Sequence, residues 1–435
     1  MKVLVRSVAA GAGVMYAGAS FALDSFQIGD VLVEPSMTVG AAYLYDRNQA
    51  FGGRTSSAGL TVDRTSSRFE GFVLPGLKLT GPQTSIGTFF GGVSAVGAMT
   101  RGGSDAAGLT HDDPERISLE QAYVGWKSAD LFPSLGKDAI TLSAGRQNFM
   151  IDNGFLIGDG HTDQGKDGAA WIGPRTAFSN TLIAQLNTGK VHADLFDLRA
   201  NANIDYLDYK EHLRLRGANL EWRDTWGTLG ATYYHTLDTD NAARNGVDVY
   251  DLRAKGTPFS AVPQFTLAGE YVWERGGDDH KTAHGWYAQG NYAFTDLPWT
   301  PTVSYRRTQY SDDYDPMTYG YGGEYGTWYQ GEIVGEYMLF NTNLDIDMLK
   351  LALQPQKELG LGLIGYHYRL ENASTNGVTS RDFGNEVDLY ANWTVTPTVT
   401  LSALYGMALP GDAAKQMYGD NNRSSLFETS VTWSF

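Results

Sequence analysis

Residues 425–435 read SLFETSVTWSF and alternate strictly between two kinds of side chain. Successive side chains point to opposite faces of a strand, so one face of this segment is aromatic and apolar while the other is wholly polar. The face with the apolar character carries Phe427, Thr429, Val431, Trp433 and Phe435. A soluble β-sandwich can contain such a strand. A membrane-spanning barrel explains it better, because its strands face lipid on one side and a wet lumen on the other.

The aromatic residue at position 435 adds to this interpretation. In an outer-membrane barrel such a residue lies in the interfacial aromatic girdle, and the last strand pairs with the first so that no edge remains. The segment resembles the C-terminal signature of bacterial outer-membrane proteins, which implies recognition of Phe435 by the barrel-assembly machinery. We therefore expect an outer-membrane location.

Composition fits this class and excludes several others. The chain has 435 residues with 52 Gly, 25 Tyr, 19 Phe and 10 Trp, as expected when every second residue faces water. Cysteine is absent, which excludes disulfides and thiolate metal sites, and we predict no cofactor. The formal net charge of −16 argues against a nucleic-acid partner.

The N-terminus predicts export. Lys2 and Arg6 form a charged region, residues 7–19 are small and apolar, and Ser20-Phe21-Ala22 fits a cleavage site. A short buried helix is the alternative. We predict a signal peptide over residues 1–22 and one barrel domain over residues 23–435.

Strand-length alternating segments separated by turn residues recur from residue 36 onward. We predict an all-β fold, a single transmembrane antiparallel β-barrel of 18 strands, with 16 as the alternative because bacterial single-chain barrels have even strand numbers. The predicted strands are 37–45, 68–80, 85–99, 117–126, 140–149, 191–198, 213–222, 226–237, 247–254, 265–274, 285–294, 302–310, 328–340, 348–353, 359–370, 385–395, 399–409 and 425–435.

Two polar segments interrupt the alternation. Residues 150–175 are too long for a turn, and a loop of this kind can fold into a barrel and narrow it. Asp159, His161, Asp163 and Asp167 suggest a metal site there, but their spacing matches no calcium loop, so a solvated loop is favoured. The tyrosine-rich residues 311–327 are expected to lie outside the cell.

Strand parity assigns charged side chains to the lumen, since a charge facing lipid at mid-depth costs about 2–4 kcal/mol. The predicted basic residues of the lumen are Arg68, Arg253, Arg306, Lys350 and Arg369. The predicted acidic ones are Glu70, Asp251, Glu270, Glu332, Glu336, Glu386 and Asp388. Arg146 shares parity with apolar neighbours, so it lies beyond the bilayer or a bulge near Gly145 turns it inward. These charges either brace the wall as ion pairs or form an arginine track for anions.

Signals for catalysis are weak. The chain has no nucleophile elbow and no paired-histidine metal motif, so we predict a protein without enzyme activity. His367, between Tyr366 and Tyr368, is predicted to belong to the lumen wall.

Several segments in the same order resemble the alginate export family of outer-membrane channels. These are AGRQNF at 144–149, WYQGEIVGEYMLF at 328–340, and GNEVDLYANW followed by LSALYGMALPGDAA. The resemblance implies an 18-stranded monomeric barrel with an arginine-lined constriction that passes a polyuronate outward. It also implies that Arg146 faces the lumen and that Glu332 and Glu336 lie on its wall.

Three functions follow from these patterns. The first is a channel that passes an anionic substrate, an alginate-like polysaccharide, through an arginine-containing constriction. The second is a general or small-anion uptake porin. The third is a plugged structural or enzymatic barrel. The expected partners are an anionic polysaccharide or a small anionic solute, together with outer-membrane lipid and lipopolysaccharide.

Overall fold

A computed structural model describes residues 23–110, 112–162, 165–204, 209–277 and 281–435. The predicted signal peptide, residues 1–22, lies outside the described residues. Twenty strands form one sheet. In chain order they are β1 Phe26–Ile28, β2 Val31–Arg47, β3 Thr65–Thr80, β4 Thr88–Gly102, β5 Glu115–Lys127, β6 Ile140–Gln147, β7 His161–Thr162, β8 Phe178–Thr188, β9 Val191–Ile204, β10 Tyr209–Asp224, β11 Gly227–Leu237, β12 Val247–Gly256, β13 Phe265–Gly276, β14 Lys281–Ala293, β15 Thr302–Tyr310, β16 Leu344–Gln356, β17 Leu359–Leu370, β18 Asp382–Thr396, β19 Val399–Pro410 and β20 Ser424–Ser434.

Eighteen of these strands form a closed antiparallel barrel. The two short strands are additions to it: β1 pairs with the start of β2, and β7 pairs in parallel with β9. The ring closes where β20 pairs with β2, from Thr38 opposite Ser434 to Arg47 opposite Ser425. Closure gives every strand two neighbours, which a barrel in lipid requires. The predicted fold class and strand number are confirmed.

The strand number is correct although one predicted strand is absent and one observed strand has no predicted counterpart. β8 was not predicted from the sequence. Residues 328–340 were predicted as a strand, but they belong to the connection between β15 and β16 and contain the short helix α1, Val334–Tyr337. One omission and one wrong strand cancel. A second helix, α2 Asp412–Tyr418, lies between β19 and β20.

The two ends of the barrel differ in the length of their connections. Two-residue turns join β8 to β9, β10 to β11, β16 to β17 and β18 to β19 at one end, here called the turn end. The three longest connections lie at the opposite end, here called the loop end: 48–64, 148–177 and 311–343. Outer-membrane barrels have short periplasmic turns and long extracellular loops, so the loop end corresponds to the cell exterior.

Alternation along the strands separates an apolar outer face from a polar inner face. In β18 the side chains of Val387 and Leu389 are exposed on the outside, whereas Glu386 and Asp388 are 1% exposed. In β13 the outward Leu267, Tyr271 and Trp273 are aliphatic or aromatic, and Glu270 is buried inside. No helix in the described part of the chain has the length and apolar character to cross a membrane.

A charge placed on the apolar outer face tests this assignment. Leu389, which is 56% exposed in the middle of β18, faces lipid. We expect Leu389→Arg to lower the free energy of unfolding in lipid vesicles by about 2–4 kcal/mol. Urea titration of the refolded barrel measures this loss, and Leu389→Phe is the control that keeps the face apolar. An equal effect of both substitutions would contradict a lipid-facing position.

Candidate channel site: two loops inside the barrel

Two long connections fold into the lumen and meet there. We call residues 148–177 loop A and residues 311–343 loop B. Ile157 of loop A forms a parallel bridge with Thr318 of loop B, and the Gly158 amide donates to the Thr318 carbonyl at 2.8 Å. The Gly320 amide donates in turn to the Gly154 carbonyl at 2.8 Å. The two loops therefore form one hydrogen-bonded unit inside the barrel.

An aromatic cluster fixes this unit against the wall. The Phe155 ring of loop A lies 4.8 Å from the Trp328 ring of loop B, centroid to centroid, and 5.2 Å from the Tyr287 ring of β14. Tyr310 stacks on Phe155 at 5.9 Å. The Trp328 indole also donates to the Asn153 carbonyl at 2.9 Å. The predicted external position of residues 311–327 is wrong, because the tyrosines of loop B find buried apolar partners in the lumen.

Three wall glutamates each bind two consecutive backbone amides of these loops. Glu70 of β3 accepts from Trp171 and Ile172 at 2.9 and 3.1 Å. The other two do the same: Glu120 accepts from Thr176 and Ala177, both at 2.9 Å, and Glu386 from Ile333 and Val334 at 2.8 and 2.7 Å. Hydrogen bonds to a charged acceptor are stronger than neutral ones. The inward carboxylates thus satisfy loop amides that would otherwise be buried without partners.

Arg68 and Arg306 lie inside the barrel, as parity predicts, and both are 2% exposed. The Arg68 guanidinium donates to the Asp46 carboxylate at 2.6 Å and to the Tyr337 hydroxyl at 2.7 Å. Arg306 lies over the Trp328 ring at 4.8 Å and donates to a loop B carbonyl at 3.0 Å. Both side chains connect the wall to loop B and are shielded from solvent.

Arg253 and Lys350 also face the lumen, and each forms an ion pair there. Arg253 donates to Asp251 at 2.6 Å and to Glu221 at 2.7 Å, and its side chain is 4% exposed. Lys350 contacts Glu324 at 3.2 Å and donates to the Tyr325 carbonyl of loop B at 2.9 Å. These contacts favour the interpretation that the lumen charges brace the wall as ion pairs over the interpretation that they form an arginine track for anions.

Arg146 reaches the lumen through a backbone irregularity. The register between β6 and β8 shifts between Gly145 and Gln147, and Gly145 has a φ of 122°. That conformation suits glycine and turns the following side chain inward. Arg146 then donates to the Glu120 carbonyl at 2.8 Å and lies 3.7 Å from the Glu120 carboxylate.

Arg369 is not in the lumen, and the prediction that it lines the pore is wrong. In β17 the residues that face inward are Ile364, Tyr366, Tyr368 and Leu370, each 3% exposed or less. Arg369 points outward to Asp347 at 2.8 Å and Asp345 at 3.7 Å. His367 shares this outward face and contacts Asn385 at 2.9 Å. The parity is reversed because the loops fill the lumen here and supply aromatic partners to the inner face.

The predicted acidic residues divide into two groups. Asp388 lies on the inner face of β18. Glu332 and Glu336 lie inside the barrel but belong to loop B, so their predicted place on a wall strand is wrong. The first pair of the Gly-Glu repeat precedes the short helix α1 and the second pair lies within it.

A cavity of about 490 Å³ lies between the two loops and the wall at the loop end. Its aromatic lining consists of Trp171, Tyr314, Tyr319, Tyr329, Tyr337 and Phe340. Its polar lining includes Arg68, Glu70, Asp159, His161, Glu211, Arg244, Asp315 and Glu336. The cavity combines flat aromatic surfaces with a few charged groups, and its volume is in the range of small-molecule sites.

Sequence reasoning missed Arg244, the more exposed of the two arginines that line this cavity. It ends a short 3₁₀ helix, Ala242–Arg244, in the connection between β11 and β12. Its guanidinium donates to both carboxylate oxygens of Asp315 at 2.7 Å and to Glu211 at 2.6 Å, and its side chain is 19% exposed. Alternation could not identify it, because it lies outside any strand.

The acidic cluster of loop A is not a solvated surface. Asp159 and Asp167 are both buried, while Asp163 lies outside the described residues. Asp159 accepts from the His161 amide at 2.8 Å. Within the described ranges, no group of three or more His, Asp or Glu side chains has a metal-binding arrangement.

A match to a known protein family covers most of the chain. A family profile described as "Alginate export" matches residues 93–427. The chain belongs to the alginate export family. A comparison with curated proteins gives no match.

Several solved structures of bacterial proteins share this family member's fold. Acinetobacter baumannii OccAB1 superposes with a TM-score of 0.58 at 12% identity, covering 93% of this chain and 96% of that one. Pseudomonas aeruginosa OccK2 (OpdF) gives 0.57 at 12% identity, covering 93% and 97%. The structure of OccK2 in complex with glucuronate gives 0.56 at 13%, covering 93% and 98%. At these identities the likeness concerns the fold. The chain is an outer-membrane β-barrel of the porin-like channel class.

Loss of one wall carboxylate should loosen loop B. Glu386→Gln replaces a charged acceptor with a neutral one, and hydrogen bonds to charged groups contribute about 1.5–3 kcal/mol. We expect hydrogen exchange of the Ile333 and Val334 amides to accelerate at least about tenfold. Glu358→Gln is the control, because that exposed side chain lies in the turn between β16 and β17, at the end of the barrel away from loop B. Unchanged exchange in Glu386→Gln would contradict the anchoring role.

Loop packing should also depend on pH through Asp159. Burial raises the pKa of this carboxyl to about 7. Between about pH 4 and pH 7 the unfolded chain releases this proton while the packed loop retains it, so stability falls as the pH rises through that interval. We expect loop A to resist proteolysis better at pH 5 than at pH 8. Asp159→Asn should remove the difference, and a pH profile identical to that of the parent would contradict this assignment.

Proposed function

We propose that this protein is a gated outer-membrane channel for carboxylated sugars, and that Arg244 is the group that binds their carboxylate. The observation that carries the proposal is the bidentate pair between Arg244 and Asp315 at the edge of the loop-end cavity. A substrate carboxylate presents the same two oxygens as an aspartate. It can therefore replace Asp315 on the guanidinium.

This exchange would couple binding to opening. Asp315 belongs to loop B, which follows β15, whereas Arg244 follows β11 and Glu211 belongs to β10. The Arg244–Asp315 pair thus connects loop B to the connection after β11. A substrate that occupies Arg244 releases loop B at this point, and the path along the wall widens. A substrate shifts the equilibrium from the closed to the open channel only if it binds the open state more tightly. The Arg244 guanidinium supplies this difference, because it binds the substrate carboxylate only after Asp315 has left it.

The aromatic lining supports a sugar as the body of the substrate. Tyr319, Tyr329 and Phe340 line the cavity together with the more deeply buried Trp171. Flat aromatic faces pack against the apolar faces of sugar rings, and tyrosine adds a hydroxyl for hydrogen bonding. The glucuronate complex of OccK2, a structure of similar fold, supports a uronate as a first ligand to test.

Passage of an alginate-like polysaccharide is the second candidate, and membership of the alginate export family favours it. The cavity of about 490 Å³ suits one or two sugar rings rather than an extended polymer. A polymer would require loops A and B to move apart along their whole contact. Uptake of small uronates requires only local release of loop B, so the small-anion channel is the function that the geometry supports best.

Planar-bilayer recordings with uronates test the proposal. In the parent protein we expect anion selectivity under a salt gradient and a response to glucuronate. Arg244→Gln should raise the glucuronate concentration for half-maximal response about tenfold, the loss expected for a charge-assisted bond. Asp315→Asn should raise the basal conductance, because it weakens the hold on loop B without removing the cation.

Two controls define the outcomes. Arg369→Gln should leave selectivity and the uronate response unchanged, since this side chain faces outward. Oligouronates of increasing length distinguish the candidates: block that strengthens with length favours polysaccharide passage. Identical reversal potentials and uronate responses in the parent and Arg244→Gln would overturn the role of Arg244. A silent channel in both would overturn the channel itself.

A further inference from the structure

A charged row crosses the outer face of the barrel on strands β10 to β13. Arg216 lies opposite His235, His235 opposite Asp248, and Asp248 opposite Arg275. Three strand spacings separate the two arginines, a span of roughly 14 Å. On β11, β12 and β13 this row lies at the loop end, whereas Arg216 lies in the middle of the longer β10. The loop end corresponds to the outer leaflet of the membrane.

Two further outward rows follow immediately on the turn-end side. The first contains Ala218, Tyr233, Tyr250 and Trp273, and the second contains Leu220, Ala231, Leu252 and Tyr271. The order along each strand is therefore charged, then largely aromatic, then largely aliphatic. That order matches the change from headgroup to hydrocarbon across one leaflet.

The outer surface between these strands is concave. A groove of about 580 Å³ is lined by the two small residues Ala218 and Ala231 and flanked by Leu220, Leu252 and the aromatic side chains, with Arg275 at one end. Leu220 and Leu252 are 56% and 55% exposed. A continuous outward wall of large side chains would leave no such depression.

The charges beside the groove are not balanced. Arg214 and Arg216 share one carboxylate, Asp197, at 2.7 Å each. Arg275 is exposed and has no ion-pair or hydrogen-bond partner among the residues that the structure describes. Asp248 contacts Tyr233 and His235. Three guanidinium groups thus face two carboxylates on the surface of a chain whose formal net charge is −16.

We propose that this groove binds a bis-phosphorylated glycolipid of the outer leaflet, with one acyl chain between Leu220 and Leu252, one phosphate on Arg275 and the other on Arg216. Arginine is the preferred ligand for phosphate because its donors match the oxygens in pairs. The aliphatic row meets the acyl chain, and the aromatic row lies at the boundary between chain and headgroup. The site is outside the barrel and is independent of the proposed channel function.

Native mass spectrometry of the purified barrel with bis-phosphorylated lipid A as the probe tests this site. We expect one lipid to bind the parent more tightly than the rest. Substituting both arginines, Arg216→Gln with Arg275→Gln, should weaken that binding at least about tenfold through loss of charge-assisted bonds. Ala231→Trp, which fills the groove without changing charge, should also weaken it. Dephosphorylated lipid A should bind the parent as weakly as lipid A binds the double variant.

Arg381→Gln is the matched control, because this arginine is also exposed near the loop end but lies by β18, away from the groove. It should leave lipid affinity unchanged. A heat-sensitive shift in gel mobility verifies that each variant is folded. Equal affinity of the double variant and the parent, equal loss in Arg381→Gln, or equal binding of dephosphorylated lipid A would each overturn the proposal.

Discussion

Every buried backbone amide needs a hydrogen-bond acceptor, and this requirement shapes both the barrel wall and the loops inside it. In lipid no water is available, so each strand must have two neighbours, and pairing of β20 with β2 completes the ring. Inside the ring the same requirement applies to loops A and B, which lie away from the strand ladder except where β7 of loop A pairs with β9. Glu70, Glu120 and Glu386 meet it by accepting pairs of consecutive amides. The fold of the wall and the fold of the loops thus have one cause.

This use of carboxylates explains why the lumen is both acidic and closely packed. Buried charges are stable only with partners, and those partners are loop amides and wall arginines. The guanidinium groups of Arg68 and Arg253 are buried in ion pairs with wall aspartates, so neither is accessible to a substrate. Arg244 differs because it connects the wall to loop B through a carboxylate that a substrate can imitate. A gate that opens on binding requires a contact that the substrate can replace, and the Arg244–Asp315 pair is such a contact.

Alternation predicts the wall well and the interior poorly. It placed Glu270 of β13 in the lumen correctly, because the other face of this strand meets lipid. It gave residues 328–340 a strand because a buried loop with a short helix can show the same mixture of apolar and acidic residues. It missed β8, whose sequence FSNTLIAQLNT has a polar start directly after a long loop. The hydrophobic pattern of a strand reflects the surroundings of its two faces. Where loops A and B fill the lumen, the inner face meets protein side chains and not water, so the pattern differs from that of an open barrel.

The case of Arg369 shows why parity alone cannot assign a charge to the lumen. The rule assumes that the outside is hydrocarbon and the inside is water. Near the loop end of β17 both assumptions fail, because loop B gives Tyr366 and Tyr368 a dry environment inside. Outside, the strand passes the hydrocarbon boundary, and Arg369 pairs with Asp347. Depth along the strand therefore decides which face can carry charge, and it decides this for Arg275 on β13 as well. An outward arginine at that depth lies where lipid phosphates lie, so it is favoured on the outer face rather than excluded from it.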